Sequence, residues 1–229
     1  MPFTNEIKKE IYKYCENHLA DDAWYENQFD FILDEAMKKR LISEFKATRF
    51  AYKLYEGLEA ENENLLFEVR NQIISYATIY EAVIHYVLYN YYQDTEQFHD
   101  MTHHTIPIKI SIPEDKQKKL QQELLHDNKE IATFYYGEKK KEEKQIRFDD
   151  KCITAKNIGL LHDFENSKGQ IIDLPSEIIE FYWYRNGIHL IAEQRKGIQY
   201  ELELSKRAYR RMQPFIEQIK SKLVEDGKY

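Results

Sequence analysis

The chain has 229 residues, of which 42% are hydrophobic and 32% charged, with a formal net charge of −7. That composition excludes a disordered chain and supplies one good core, or a core plus a small subdomain. The acidic balance excludes a general nucleic-acid coat, which needs a basic surface, but leaves room for a local basic site acting on RNA.

Seven glycines and five prolines are few for this length. Scarce turn-formers mean few, long elements, and so a mainly α fold. The 18 tyrosines recur at helix-periodic positions, where rings pack a core while hydroxyls reach solvent or a partner. Cys15 and Cys152 are too few and too far apart for a disulfide framework or a zinc knuckle. The first residues lack the basic-then-apolar pattern of a signal peptide, and no apolar stretch approaches the ~20 residues of a membrane span. The expectation is a cytoplasmic protein with no membrane partner.

In chain order, residues 4–19 read as a first helix capped by Thr4 or Asn5, with Ile7, Ile11, Tyr14 and Cys15 on one stripe. Asp21 and Asp22 interrupt it and can cap the next element. Leu33, Ala36, Phe45, Thr48, Ala51, Tyr52 and Tyr55 then predict a long or bent helix over 29–58, ended near Gly57. The clearest helix covers 64–92, with an unbroken stripe from Leu66 to Tyr91. Glu81 lies beside that stripe, at the edge of the core or held by a basic partner.

The middle changes character. Ile106, Ile108, Ile110 and Ile112 alternate with polar residues, a strand that Pro107 and Pro113 restrict to an edge. A short charged helix over 114–126 follows. Residues 131–136 and 145–148 read as two strands joined by the charged tip 137–144. Beyond Asn166, Gly169 and Pro175, a helix capped by Ser176 runs into the Arg185 region, where Gly187 weakens it without ending it. A last helix over 200–224 should bend or split at Pro214. The division expected is an N-terminal helical extension at 1–63, a first half-bundle at 64–104, a small α/β insertion with a hairpin at 105–165, and a second half-bundle at 166–229.

The chemistry concentrates in Arg185-Asn186-Gly187-Ile188-His189. On a continuous helix, Arg185 and His189 share a face one turn apart. Arginine presents a planar fork suited to phosphate, histidine exchanges a proton near neutrality, and Asn186 adds a neutral donor and acceptor. Such a set can bind a scissile phosphate and move a proton on a ribose hydroxyl without a metal.

This run resembles the Arg-Asn-…-His signature of HEPN domains, the helical domains named for higher eukaryotes and prokaryotes nucleotide-binding. The helix bearing Arg70 and Tyr80-Glu81-Ala82 is similar to an early HEPN helix, and 205–223 to the helix that closes that bundle. The resemblance covers about 64–101 and 175–224. It implies a HEPN-like bundle and a metal-independent endoribonuclease with no cofactor, working as a homodimer in a prokaryotic toxin–antitoxin or phage-defence system. It implies that Arg185 holds the phosphate, His189 is the acid/base and Asn186 positions them, with Arg70 and Glu81 accessory. The family's nucleases place four to six residues between Arg and His, and this chain places three. The spacing and the acidic charge keep a second reading open: a non-catalytic dimerisation or partner-binding module, with a protein partner or antitoxin.

Other groups carry weaker readings. His99 and His103 have metal-ligand spacing, but no glutamate completes a helical zinc motif, so a solvated helix end is expected and no metal. Lys139, Lys140, Lys141 and Lys144 alternate with glutamates, as in a solvated hairpin. Arg207, Arg210 and Arg211 either extend an RNA-binding surface from Arg185 or face water.

Overall fold

In the computed structural model, which describes residues 2–124, 133–188 and 199–229, the chain is mainly helical and divides into two compact units. Met1–Gln93 with Phe148–Tyr229 forms the larger; Asp94–Arg147 forms the smaller.

Helix α1, Asn5–Glu16, starts where the Thr4 hydroxyl accepts the Ile7 N–H, as the sequence anticipates. Helix α2, Asp22–Gln28, is capped by the Asp21 carboxylate. Helix α3, Glu35–Gly57, begins six residues later than the apolar pattern suggested. Asp34 stops it, because its carboxylate accepts the N–H groups of Ala36 and Met37. The stretch before it is irregular yet buried: Phe29, Phe31 and Ile32 are wholly enclosed, while Leu33, expected inward, is 71% exposed.

Helix α4, Asn62–Tyr91, is the axis of this unit. Its anticipated stripe is buried from Val69 to Leu88, and so are Ile79 and Val83 on other sides, because helices pack around it. The tyrosines are less solvent-seeking than expected. Tyr86 accepts the N–H groups of Leu33 and Asp34, Tyr91 donates to the Phe31 carbonyl, and Tyr92 donates to Asp226. Each ring buries apolar area while its hydroxyl satisfies a polar group in a loop or at a helix end.

The smaller unit holds α5 (Glu96–Thr102), β1 (His103–Lys109), α6 (Glu114–Leu124) and β2 (Phe134–Lys140). The strands pair antiparallel, from His103 opposite Lys140 to Lys109 opposite Phe134. The hairpin expected between 131–136 and 145–148 is therefore corrected: β2 pairs with β1 and runs through the supposed charged tip. Residues 131 and 132 lie outside the described residues. Segment 145–148 is no strand either. It closes a 3-10 turn, Glu143–Gln145, and opens α7, Phe148–Ile158. Helix α7 belongs to the larger unit, so the compact division falls at 94–147 rather than at 105–165.

Past α7, Gly159 takes φ +88° and ends the helix in the left-handed region that glycine tolerates. A two-residue ribbon, β3 (Phe164–Glu165) with β4 (Ile171–Ile172), follows. Helix α8, Leu174–Asn186, is capped by Asp173 rather than by Ser176. Asp173 accepts both the N–H and the hydroxyl of Ser176, and the hydroxyl above all holds its carboxyl below the usual range. Pro175 fits the first turn, where no N–H is needed. The last segment splits as Pro214 requires, into α9, Leu202–Arg210, and α10, Met212–Glu225. Tyr80, fully buried in α4, donates to the Ala208 carbonyl at 2.7 Å, where the last turn of α9 lacks intrahelical partners.

Candidate functional site

The C-terminal end of α8 meets the middle of α4 in a polar cluster. Arg185 Nη1 donates to Glu81 Oε2 at 2.9 Å, and the Tyr182 hydroxyl donates to Glu81 Oε1 at 3.4 Å. The guanidinium also lies over the Tyr182 ring, 5.1 Å from its centroid, and Phe148 of α7 packs against the same ring, with centroids 4.4 Å apart. Burial first, and then the Glu81 charge, push the Tyr182 phenol up, so it stays a donor. Asn186 interacts with the same phenol. The sequence's question about Glu81 is answered: its basic partner is Arg185.

Arg185 and Glu81 keep 29% and 30% of their side-chain surface exposed. An ion pair that wet contributes about 0–1 kcal/mol to folding. The pair thus fixes the orientation of the guanidinium more than it stabilises the fold. Arginine has five N–H donors, so holding one carboxylate leaves others for an anion arriving from solvent.

Helix α8 does not carry this cluster on to His189. It ends at Asn186, with Gly187 as its C-cap and a tightened last turn in which the Gly187 N–H reaches the Tyr184 carbonyl at 2.9 Å. The Tyr184 carbonyl also accepts the Tyr200 hydroxyl at 3.0 Å. With that acceptor taken, the helix has no reason to extend past glycine, a poor helix former. The expectation that Gly187 weakens the helix without ending it is corrected accordingly. His189 itself lies outside the described residues.

The remaining arginines go to separate places. Arg207 donates to Glu180 at 2.7 Å, and Arg211 grips Glu177 through two nitrogens. Both carboxylates are on α8; Glu177 is eight residues before Arg185, about 12 Å along the helix. Arg210 projects elsewhere and pairs with exposed Glu203 at 2.6 Å. The three do not form one strip leading from Arg185. Arg70 shares the α4 face of Glu81 but sits eleven residues away, about 16 Å, with its guanidinium over the Tyr200 ring. It braces the segment that meets Tyr184 and does not join the Glu81 cluster.

Sequence reasoning missed Tyr182, His85 and Lys151. His85 is four residues after Glu81, so it shares the α4 face, and its Nδ1 lies 3.0 Å from Nζ of buried Lys151. The spacing from Glu81 was a usable signal for His85. Lys151 gave none, because the segment around it reads as part of an insertion. Cys152, also on α7, is buried, and burial pushes its thiol well up, so it is no nucleophile. In the smaller unit, His99 and His103 stack at 4.0 Å, and His103 Nδ1 faces the His99 carbonyl rather than converging with His99 on a shared point.

Among the described residues no cluster of three or more histidine, cysteine or acidic side chains is arranged to hold a metal ion, and no helix is long and apolar enough to cross a membrane. Comparison with protein-family models, with curated proteins and with solved structures finds no match.

Proposed function

We propose that the Glu81–Tyr182–Arg185–Asn186 cluster, completed by His189, is the site of a HEPN-like, metal-independent endoribonuclease. The supporting observation is the partly exposed Arg185, held by Glu81 and flanked by a protonated phenol at a helix end. His189 takes the proton of the ribose 2′-hydroxyl, whose oxygen attacks the adjacent phosphorus. The free donors of Arg185 meet the charge that builds on the phosphoryl oxygens, with Asn186 beside them. The P–O5′ bond breaks, the 5′-oxygen takes up the proton that His189 returns through solvent, and the product ends in a 2′,3′-cyclic phosphate. The protein acts in the cytoplasm as a homodimer, in a prokaryotic toxin–antitoxin or phage-defence setting.

The test is incubation of the purified chain with total RNA beside Arg185→Ala and His189→Ala, with end-group analysis of the fragments. Cleavage leaving cyclic phosphates is expected from the parent alone. Equal cleavage by all three would remove the cluster from the mechanism.

A second reading, a partner-binding module with a HEPN-like bundle, draws on one observation. Arg207 and Arg211 are already neutralised by Glu180 and Glu177, which takes two cations away from any RNA surface in a chain of net charge −7. No cleavage at high protein concentration, together with a stoichiometric protein partner, would favour it.

A further inference from the structure

A groove lies on another side of α4, between α3 and α9. Glu68, Gln72 and Tyr76 form a stripe at four-residue steps, roughly 140–180° around the helix from Glu81. Two adjoining cavities open there. One, of about 330 Å³, is lined by Arg49, Tyr52, Lys53, Glu56, Lys206 and Arg210 among others. The other, of about 220 Å³, shares Tyr52, Glu56, Gln72 and Lys206 and adds Tyr55, Glu59, Ala60, Leu65, Leu202 and Glu68. Their size suits a small ligand.

The two lobes differ in chemistry. The first gathers four cations against one carboxylate in an otherwise acidic chain. Lys53 pairs with Glu56, and Arg210 with Glu203. Arg49 and Lys206 form no salt bridge among the described residues. Arg49 is held instead between aromatic faces, 3.7 Å from the Tyr209 centroid and 5.0 Å from that of Tyr52. Stacking fixes the guanidinium, which also interacts with the Tyr76 hydroxyl and the Glu56 charge and keeps its remaining donors for a ligand. Beneath it, the wholly buried Tyr76 hydroxyl makes no hydrogen bond of good geometry. The second lobe is walled by tyrosine and leucine. Its floor is Glu68, 3% exposed, accepting from Gln72 Nε2 at 2.8 Å. Burial raises the Glu68 carboxyl above the ordinary carboxylate range, while the Gln72 amide opposes that shift.

We propose that this groove binds a small aromatic phosphate, with the phosphate on Arg49 and Lys206 and the ring against Tyr52, Tyr55, Leu65 and Leu202. Gln72 and the Glu68 carboxyl meet polar substituents where the lobes join. The site is separate from the Glu81–Arg185 cluster, so each stands or falls alone.

Calorimetric titration of the full chain with phenyl phosphate, inorganic phosphate and benzyl alcohol tests it. Phenyl phosphate should bind saturably, at least about tenfold more tightly than either fragment, since both lobes contribute. Lys206→Glu places a like charge beside the phosphate and should weaken binding by about tenfold or more. Arg49→Gln should do the same, with circular dichroism confirming the fold. Arg185→Ala should leave binding unchanged. Four results would each overturn the proposal: no saturable binding at millimolar phenyl phosphate, inorganic phosphate binding as tightly, binding that survives both groove substitutions, or binding lost in Arg185→Ala.

Discussion

The two ends of α8 hold arginine in different ways. Toward its start, Glu177 takes Arg211 from the junction of α9 and α10 and Glu180 takes Arg207 from α9, and Arg211 and Glu177 keep only 14% and 17% of their side-chain surface exposed. Near its end, Arg185 meets Glu81 with about twice that exposure and a phenol alongside. The Arg211–Glu177 pair is a clamp in which both charges are mostly desolvated and must stay paired. The second is an oriented cation with donors to spare. Composition and spacing treat all these arginines alike; Arg207, 32% exposed, is as open as Arg185, so what sets Arg185 apart is the phenol beside it and its place at a helix end.

Substitutions can break that contrast. The largest effect is expected at the open end. Arg185→Ala should lower RNA cleavage by about 10²–10³-fold, the scale of losing a donor to developing charge, while changing stability by no more than ~1 kcal/mol. Cleavage assays and a melting curve on one preparation check both halves. Next comes the clamp. Arg211→Ala strands Glu177 in a mostly buried position and should cost about 2–3 kcal/mol, read as a lower urea midpoint with an unchanged slope.

Glu68 sharpens the contrast from the acid side, as a buried carboxyl held by Gln72 with no cation. Its folded pKa is raised, so the folded state binds the proton more tightly than the unfolded chain does. Stability should therefore fall as pH rises from the ordinary carboxyl range through the raised value. Glu68→Gln keeps the amide contact and should flatten that slope, making the variant relatively more stable near neutrality; unfolding across a pH series measures it. The smallest effect is expected at Arg210, whose partner Glu203 is exposed. Arg210→Ala should change stability by under about 0.5 kcal/mol in the same unfolding assay.

Much of the bundle was legible in the sequence because long periodic stripes have one satisfactory burial. Helix α4, the Thr4 cap and the break before Pro214 follow from local rules. The misread segments depend on distant partners. Helix α3 starts late because Asp34 and the Tyr86 hydroxyl, 52 residues on, take the N–H groups first. Helix α8 stops at Asn186 where the Tyr200 hydroxyl occupies the Tyr184 carbonyl. Segment 145–148 has strand-forming residues, but Phe148 faces Tyr182 from the first turn of α7. In the candidate site, Arg185 and Glu81 were readable as residues but not as a pair, since 104 positions separate them. Tyr182 lies in a run of helix-forming aromatics, and nothing local in the sequence marks its hydroxyl for Glu81.

The hydrogen bond from Tyr80 to the Ala208 carbonyl has a consequence for how the chain acquires its shape. It joins residues 128 positions apart at the centre of the larger unit. Closing a loop that long costs entropy before any contact repays it, so this contact sets a high topological cost for a helical protein. During synthesis α4 emerges well before α9, and its apolar sides wait uncovered until α9 arrives. A nascent chain paused before residue 202 would expose that surface, which makes the interval between the two helices the stage at which this protein most needs protection from aggregation.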